Sequence, residues 1–84
     1  MLVEEIREAI DVGVSFRKGA APAPRWFVRR GRKVEIKGVE NSWRGRRGDS
    51  PLLFFSVTDG TDVYEICLDQ KRLLWTLEKV YVEG

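Results

Sequence analysis

The sequence predicts an all-β domain: a small curved antiparallel sheet or barrel of about six strands, with at most one short N-terminal helical turn. Apolar residues recur with period two along most of the chain, and Asp-Gly and Arg-Gly turn signals separate short β-rich runs. Strands do not alternate with long helical patterns, which argues against a nucleotide-binding α/β fold. At 84 residues, positions 1–84 form a single domain. A chain of this size buries only a little over roughly 60% of its unfolded surface. With 43% hydrophobic and 33% charged residues, the composition is that of a folded globular domain.

The elements follow in order. Val3, Ile6, Ala9 and Ile10 have helix-like spacing, so residues 2–9 are expected to form the helical turn. Ile10, Val12, Val14 and Phe16 then alternate with Asp11, Gly13, Ser15 and Arg17, as in a half-buried strand. Gly19 to Pro24 is a connector, because its two prolines remove donors and bias their neighbours away from helix. Trp26, Phe27 and Val28 open a strand that reverses at Gly31, and Val34 and Ile36 lie on its hairpin partner.

From Gly38 to Pro51, three glycines, Asn41, Ser42, Asp49 and Ser50 predict a long loop with an embedded strand end. Leu52 to Val57 is apolar almost throughout, as befits a central strand covered on both faces. Asp59-Gly60 predicts a two-residue hairpin turn into a strand over 62–68. Residues 69–72 turn again, and Leu73 to Val82 is the last strand, with a bulge near Glu78-Lys79.

Histidine is absent, which removes the usual neutral-pH base, the Ser-His and Cys-His nucleophile systems and the commonest transition-metal ligand. No phosphate-binding glycine loop or dinucleotide fingerprint occurs, so no cofactor or metal is expected, and no enzyme. Asp59, Asp62 and Asp69 read as turn residues that bond their own backbone. Cys67, the only cysteine, reads as a buried inert thiol and fits a reducing compartment. Acidic residues at the N-terminus do not suit a signal peptide, and no apolar run approaches the length of a membrane span. A soluble, cytoplasmic protein without membrane contact is expected.

Charge is unevenly placed. Between Arg25 and Arg47, nine cations stand against Glu35 and Glu40, a net of +7; the rest must therefore sum to −5 for the total of +2. Seven of those cations are arginine, whose planar fork suits phosphate and base stacking. Trp26, Phe27 and Trp43 lie among them, the interleaving that single-stranded nucleic-acid surfaces use. Burial in the core accounts equally for these aromatics, and alternation sends some of the charges to opposite faces. The arginines also suit a guarded strand edge or a face for an acidic protein. The expected binding residues are Arg29, Arg30, Arg32, Trp43, Arg44, Arg46 and Arg47, with the Arg29–Arg32 turn beside the 43–47 loop. The expected partner is nucleic acid; the alternative is a protein partner or a homodimer.

Several strings have a counterpart elsewhere. Pro24-Arg25-Trp26-Phe27-Val28-Arg29-Arg30-Gly31-Arg32-Lys33-Val34, Trp43-Arg44, Phe54-Phe55-Ser56-Val57-Thr58-Asp59-Gly60, Tyr64-Glu65-Ile66 and Trp75 to Tyr81 together resemble a small bacterial domain family of unknown function. Similar strings occur near the C-terminus of catalytically inactive, Y-family-polymerase-like accessory proteins of bacterial mutagenic repair. The likeness spans roughly residues 22–82. It implies a β-rich accessory module near DNA-damage tolerance, with no catalytic residues to carry over. Where those domains often have an aromatic before Arg-Gly-Arg, this chain has Arg29 before Arg30, which makes the strip more basic.

Overall fold

The structure, a computed structural model, describes residues 2–82 and contains no helix among them. Eight strands follow one another: β1 Leu2–Ala9, β2 Asp11–Ser15, β3 Ala23–Arg29, β4 Arg32–Glu35, β5 Gly38–Arg47, β6 Ser50–Thr58, β7 Val63–Asp69 and β8 Leu74–Val82. They form two antiparallel sheets, a five-stranded one in the order β1-β8-β7-β6-β5 and a three-stranded one in the order β2-β3-β4.

Two bent strands link the sheets without closing them into a barrel. Only Ile10 separates β1 from β2, and its N–H donates to the Trp75 carbonyl at 3.2 Å. Ile36 and Lys37 separate β4 from β5. The first donates to Arg25 at 2.9 Å in one sheet, the second to Thr58 at 2.7 Å in the other. The eight strands exceed the about six expected from sequence because residues 2–9 and 38–47 are strands as well.

The core lies between the sheets and is built from Ile10, Phe27, Phe55, Val57, Tyr64, Ile66, Leu77 and Val80. Burying each such side chain contributes about 1.5–3 kcal/mol. Phe27 is fully buried and meets the Tyr64 ring edge to face, with centroids 5.1 Å apart. Trp26, half-buried, crosses Gly13 so closely that a Cβ there would lie 2.1 Å from its ring. Trp26 also carries Lys33 Nζ at 5.1 Å from the ring centroid.

Four expectations need correction. Residues 2–9 are strand β1, paired with β8 from Leu2↔Val82 to Ala9↔Thr76. The spacing of three from Val3 to Ala9 marks no buried face, since both of those residues are exposed; Ile6 and Ile10, two strand repeats apart, pack inward. The strand that begins with the alternation at Ile10 ends at Ser15, leaving Phe16 78% exposed.

Residues 38–47 form a ten-residue strand rather than a loop, joined to β6 through Gly48 and Asp49 alone. Gly48 has a positive φ of 61°. Beyond Gly38 the strand is exposed along its length, so its polar composition carries no period of burial. The β6–β7 connection takes four residues, 59–62, because Asp59 Oδ1 accepts the N–H groups of both Thr61 and Asp62 at 2.8 Å and rounds the turn.

Other expectations hold. Arg30 and Gly31 both have positive φ, 50° and 75°, the pattern of a type I′ turn between β3 and β4. Glu78 is the extra residue of a bulge, since Glu65 pairs with Lys79 while Ile66 pairs with Leu77. In β6, an interior strand next to the edge, Phe55 and Val57 face the core while Leu52 is buried on the other side. No helix among the described residues is long and apolar enough to cross a membrane.

Candidate nucleic-acid interface

The arginine-rich stretch divides between two places. Arg29, Arg30 and Arg32 surround the β3–β4 turn. Across from them Glu8 of β1 accepts a hydrogen bond from Arg29 Nη2 at 2.8 Å and another from Arg30 Nε at 3.1 Å. The Arg29 guanidinium holds the Glu8 carboxyl below its ordinary value, assisted by Arg30 and opposed by burial. Arg29 Nε is buried without a hydrogen-bond partner, so this side chain is built into the fold more than it is offered to solvent. Arg32 is exposed and has no ion pair among the described residues.

A cleft of about 600 Å³ runs from this turn to the β6–β7 loop, with Arg30, Arg32 and Lys37 facing Asp59 and Asp62. Arg29, Lys33 and Glu35 complete its charged lining. Burial pushes the Asp59 carboxyl up, but the N–H groups of Asp62 and Thr61 and the Tyr64 hydroxyl outweigh it and leave it below its ordinary value. Burial and that same carboxylate push Tyr64 up to about 12.

Trp43, Arg44, Arg46 and Arg47 lie on β5, the edge of the five-stranded sheet. Register divides them by face. Trp43 pairs with Phe54, Gly45 with Leu52 and Arg47 with Ser50, all on the side away from the core; Arg44 and Arg46, opposite Leu53 and Pro51, point to the other side. Trp43 stacks flat on Phe54, with centroids 5.3 Å apart and planes 5° from parallel. Gly45 leaves the space this needs, since a Cβ there would lie 2.9 Å from the Phe54 ring.

Arg47 is not free. Its Nη2 lies 3.5 Å from Glu78 Oε1 on β8, closing across the outer face of β6 and β7. The Glu78 side chain is 7% exposed, and it also accepts a bond from Thr76 Oγ1 at 2.5 Å. Arg44 and Arg46 are exposed and have no acidic partner among the described residues.

The expected adjacency of the two arginine groups fails. The β3–β4 turn lines a cleft with the β6–β7 loop, whereas Arg44, Arg46 and Arg47 pair with Leu53, Pro51 and Ser50 of β6 and line no part of that cleft. The aromatics also part company: Phe27 is core, Trp26 is half-buried and Trp43 is 38% exposed.

Sequence reasoning missed Lys71 and Arg72. Both sit on the β7–β8 turn, which the Lys71–Asp49 ion pair and a 2.9 Å bond from Gln70 N–H to the Pro51 carbonyl hold against the β5–β6 turn. In a meander, alternate turns share one end, so reading 38–47 as a strand would have found them. Phe54 and Gly45 were missed too, although two consecutive phenylalanines in one strand already require cover on both faces.

The Asp69 carboxylate accepts the backbone N–H groups of Arg72 and Lys71, each at 3.0 Å, and those bonds, Arg72 first, hold it below its ordinary value. Burial, together with Glu78 nearby, pushes the Cys67 thiol up to about 11. No group of three or more Cys, Asp or Glu that could hold a metal occurs among the described residues. Comparison with known proteins finds no matching family model, curated protein or solved structure.

Proposed function

We propose that this chain is a non-catalytic, cytoplasmic nucleic-acid-binding module whose contact surface is the open edge of β5. One observation carries the proposal: Arg44 and Arg46 stand exposed on an unpaired strand edge without a neutralising carboxylate among the described residues, whereas Arg29 and Arg30 share Glu8. Guanidinium groups fork onto phosphate oxygens, and the N–H groups along an open edge add neutral donors for the same backbone. The resemblance to accessory domains of mutagenic repair supports the same direction.

The test is titration of labelled single-stranded and duplex DNA and RNA at several salt concentrations. Phosphate binding must weaken steeply as salt rises. Absence of binding at low salt would refute the proposal.

A second reading, a protein-interaction or homo-oligomerising module, has its own observation. A ten-residue edge strand with one pairing side open is a template for a further strand. Its mark would be a molecular mass that rises with concentration in light scattering, or a partner that survives nuclease treatment. A strict monomer that recovers only nucleic acid would exclude it.

A further inference from the structure

We infer that the nucleic acid taken at β5 is single-stranded, because Trp43, Phe54 and Gly45 together form a platform for one unpaired base. The inference rests on the nucleic-acid reading of β5 and narrows it to one substrate class.

An exposed tryptophan on a strand edge ordinarily costs solubility and, held rigidly, side-chain entropy. Trp43 is both exposed, at 38%, and held: one ring face lies on Phe54 with planes 5° apart. Aromatic pairs in proteins take tilted and edge-to-face arrangements as readily as parallel ones, and the other two pairs in this molecule do so, at 72° and 32°. The parallel pair depends on Gly45. A side chain there would drive into the Phe54 ring, since even a Cβ would approach to 2.9 Å. Neither Phe54 nor Gly45 contributes to the hydrophobic core between the sheets.

What results is a flat, supported π-surface on the outer face of β5, with Arg44 and Arg46 on the opposite face of the same edge strand. A base can stack on Trp43 on the outer side while its phosphates follow the strand edge, within reach of Arg44 and Arg46 from the other side. A duplex cannot use such a platform, because its bases are already stacked on one another. One stacked base is worth roughly 5- to 150-fold in affinity. Trp43 is thus a binding residue, and Phe54 and Gly45 are positioning residues.

The experiment compares three ligands of equal phosphate count on the intact chain at one low salt concentration: an oligothymidylate, an abasic oligonucleotide and a duplex. The oligothymidylate should bind at least 5-fold more tightly than the abasic strand. Trp43→Ala should remove that ratio and Trp43→Phe should restore most of it, while Arg44→Ala with Arg46→Ala weakens both strands and keeps the ratio. Phe54→Leu keeps an apolar side chain but removes the flat support; it should lower the ratio with the abasic strand unaffected. Equal binding of base-bearing and abasic strands, or duplex binding as tight as single-stranded, overturns the inference and leaves the nucleic-acid reading standing. Failure of all three ligands to bind overturns both. The wild-type ratio decides the matter even if a variant fails to fold.

Discussion

The β3–β4 turn and the edge strand β5 carry similar runs of arginine, yet the fold uses them differently. At the turn, Arg29 and Arg30 converge on Glu8, twenty-one and twenty-two residues away in sequence, and Arg29 is largely enclosed. Their charge is offset before any ligand arrives. On β5, Arg44 and Arg46 are exposed and meet no carboxylate among the described residues. Formal charge in a sequence counts both sets equally. Only the partners contributed by distant strands separate arginines that hold a structure from arginines that are available to a ligand.

The sharpest way to break this comparison is to remove arginines from each region and measure binding. Arg44→Ala with Arg46→Ala should weaken binding of a single-stranded oligonucleotide by at least tenfold at low salt. It should also reduce the slope of log K against log salt by about 1.4, since each single-strand phosphate contact contributes about 0.7. Arg29→Ala should leave that slope unchanged. An equal loss from both regions would mean that the turn also reaches the ligand.

Stability should show the reverse ranking. Arg29→Ala removes a largely enclosed stem and a charged hydrogen bond, and should cost about 1–2 kcal/mol. For a domain of this size that is a fall of roughly 4–16 °C in thermal midpoint. Arg44→Ala, on an exposed edge, should stay within about 0.5 kcal/mol of the parent. Thermal melts followed by circular dichroism check both.

How much of this could be read from sequence follows the same division between local and distant causes. The all-β class, the Arg30-Gly31 reversal, the two-sided β6 and the Glu78 bulge all follow from period, turn residues and a break in alternation within a few positions. Strand β5 escaped because an exposed edge bury little, so Gly38 to Arg47 lacks the apolar alternation that marks a strand. Residues 2–9 escaped because Val3 and Ala9 are apolar but exposed. Within the site, Trp43, Arg44 and Arg46 were identifiable by residue type. The commitments of Arg29, Arg30 and Arg47 were not, because Glu8 and Glu78 come from β1 and β8.

Acid should loosen the turns whose carboxylates are held by hydrogen bonds. Glu8, Asp59 and Asp69 all titrate below their ordinary values, 4.5 for Glu8 and 3.8 for the two aspartates, in the folded chain. Such groups stabilise the fold above those values, and the contribution fades as pH falls through the lower, folded ones. The thermal midpoint should therefore decline on acidification below about pH 4.5, and Glu8→Gln should flatten that decline by starting lower at neutral pH. Glu65 works in the opposite sense, since burial raises its pKa and protonation relieves that cost as the pH falls. A Glu8→Gln melting profile parallel to the parent's between pH 6 and pH 3 would show that the Arg29–Glu8–Arg30 contact does not anchor the turn.

The smallest expected effect asks where the available region ends. Lys71 is paired with Asp49, but Arg72 on the same turn has no ion pair among the described residues and stands next to the end of β5. If a strand laid along β5 continues past Gly48, Arg72 meets its next phosphate. Arg72→Ala should then weaken binding by about two- to threefold and lower the salt slope by about 0.7, with stability within about 0.5 kcal/mol of the parent. For an oligonucleotide too short to span both β5 and the turn, the same substitution should have no effect. Titrating the variant with strands of increasing length therefore locates the boundary: the length at which the Arg72 effect appears marks the distance from the Trp43 platform to the β7–β8 turn.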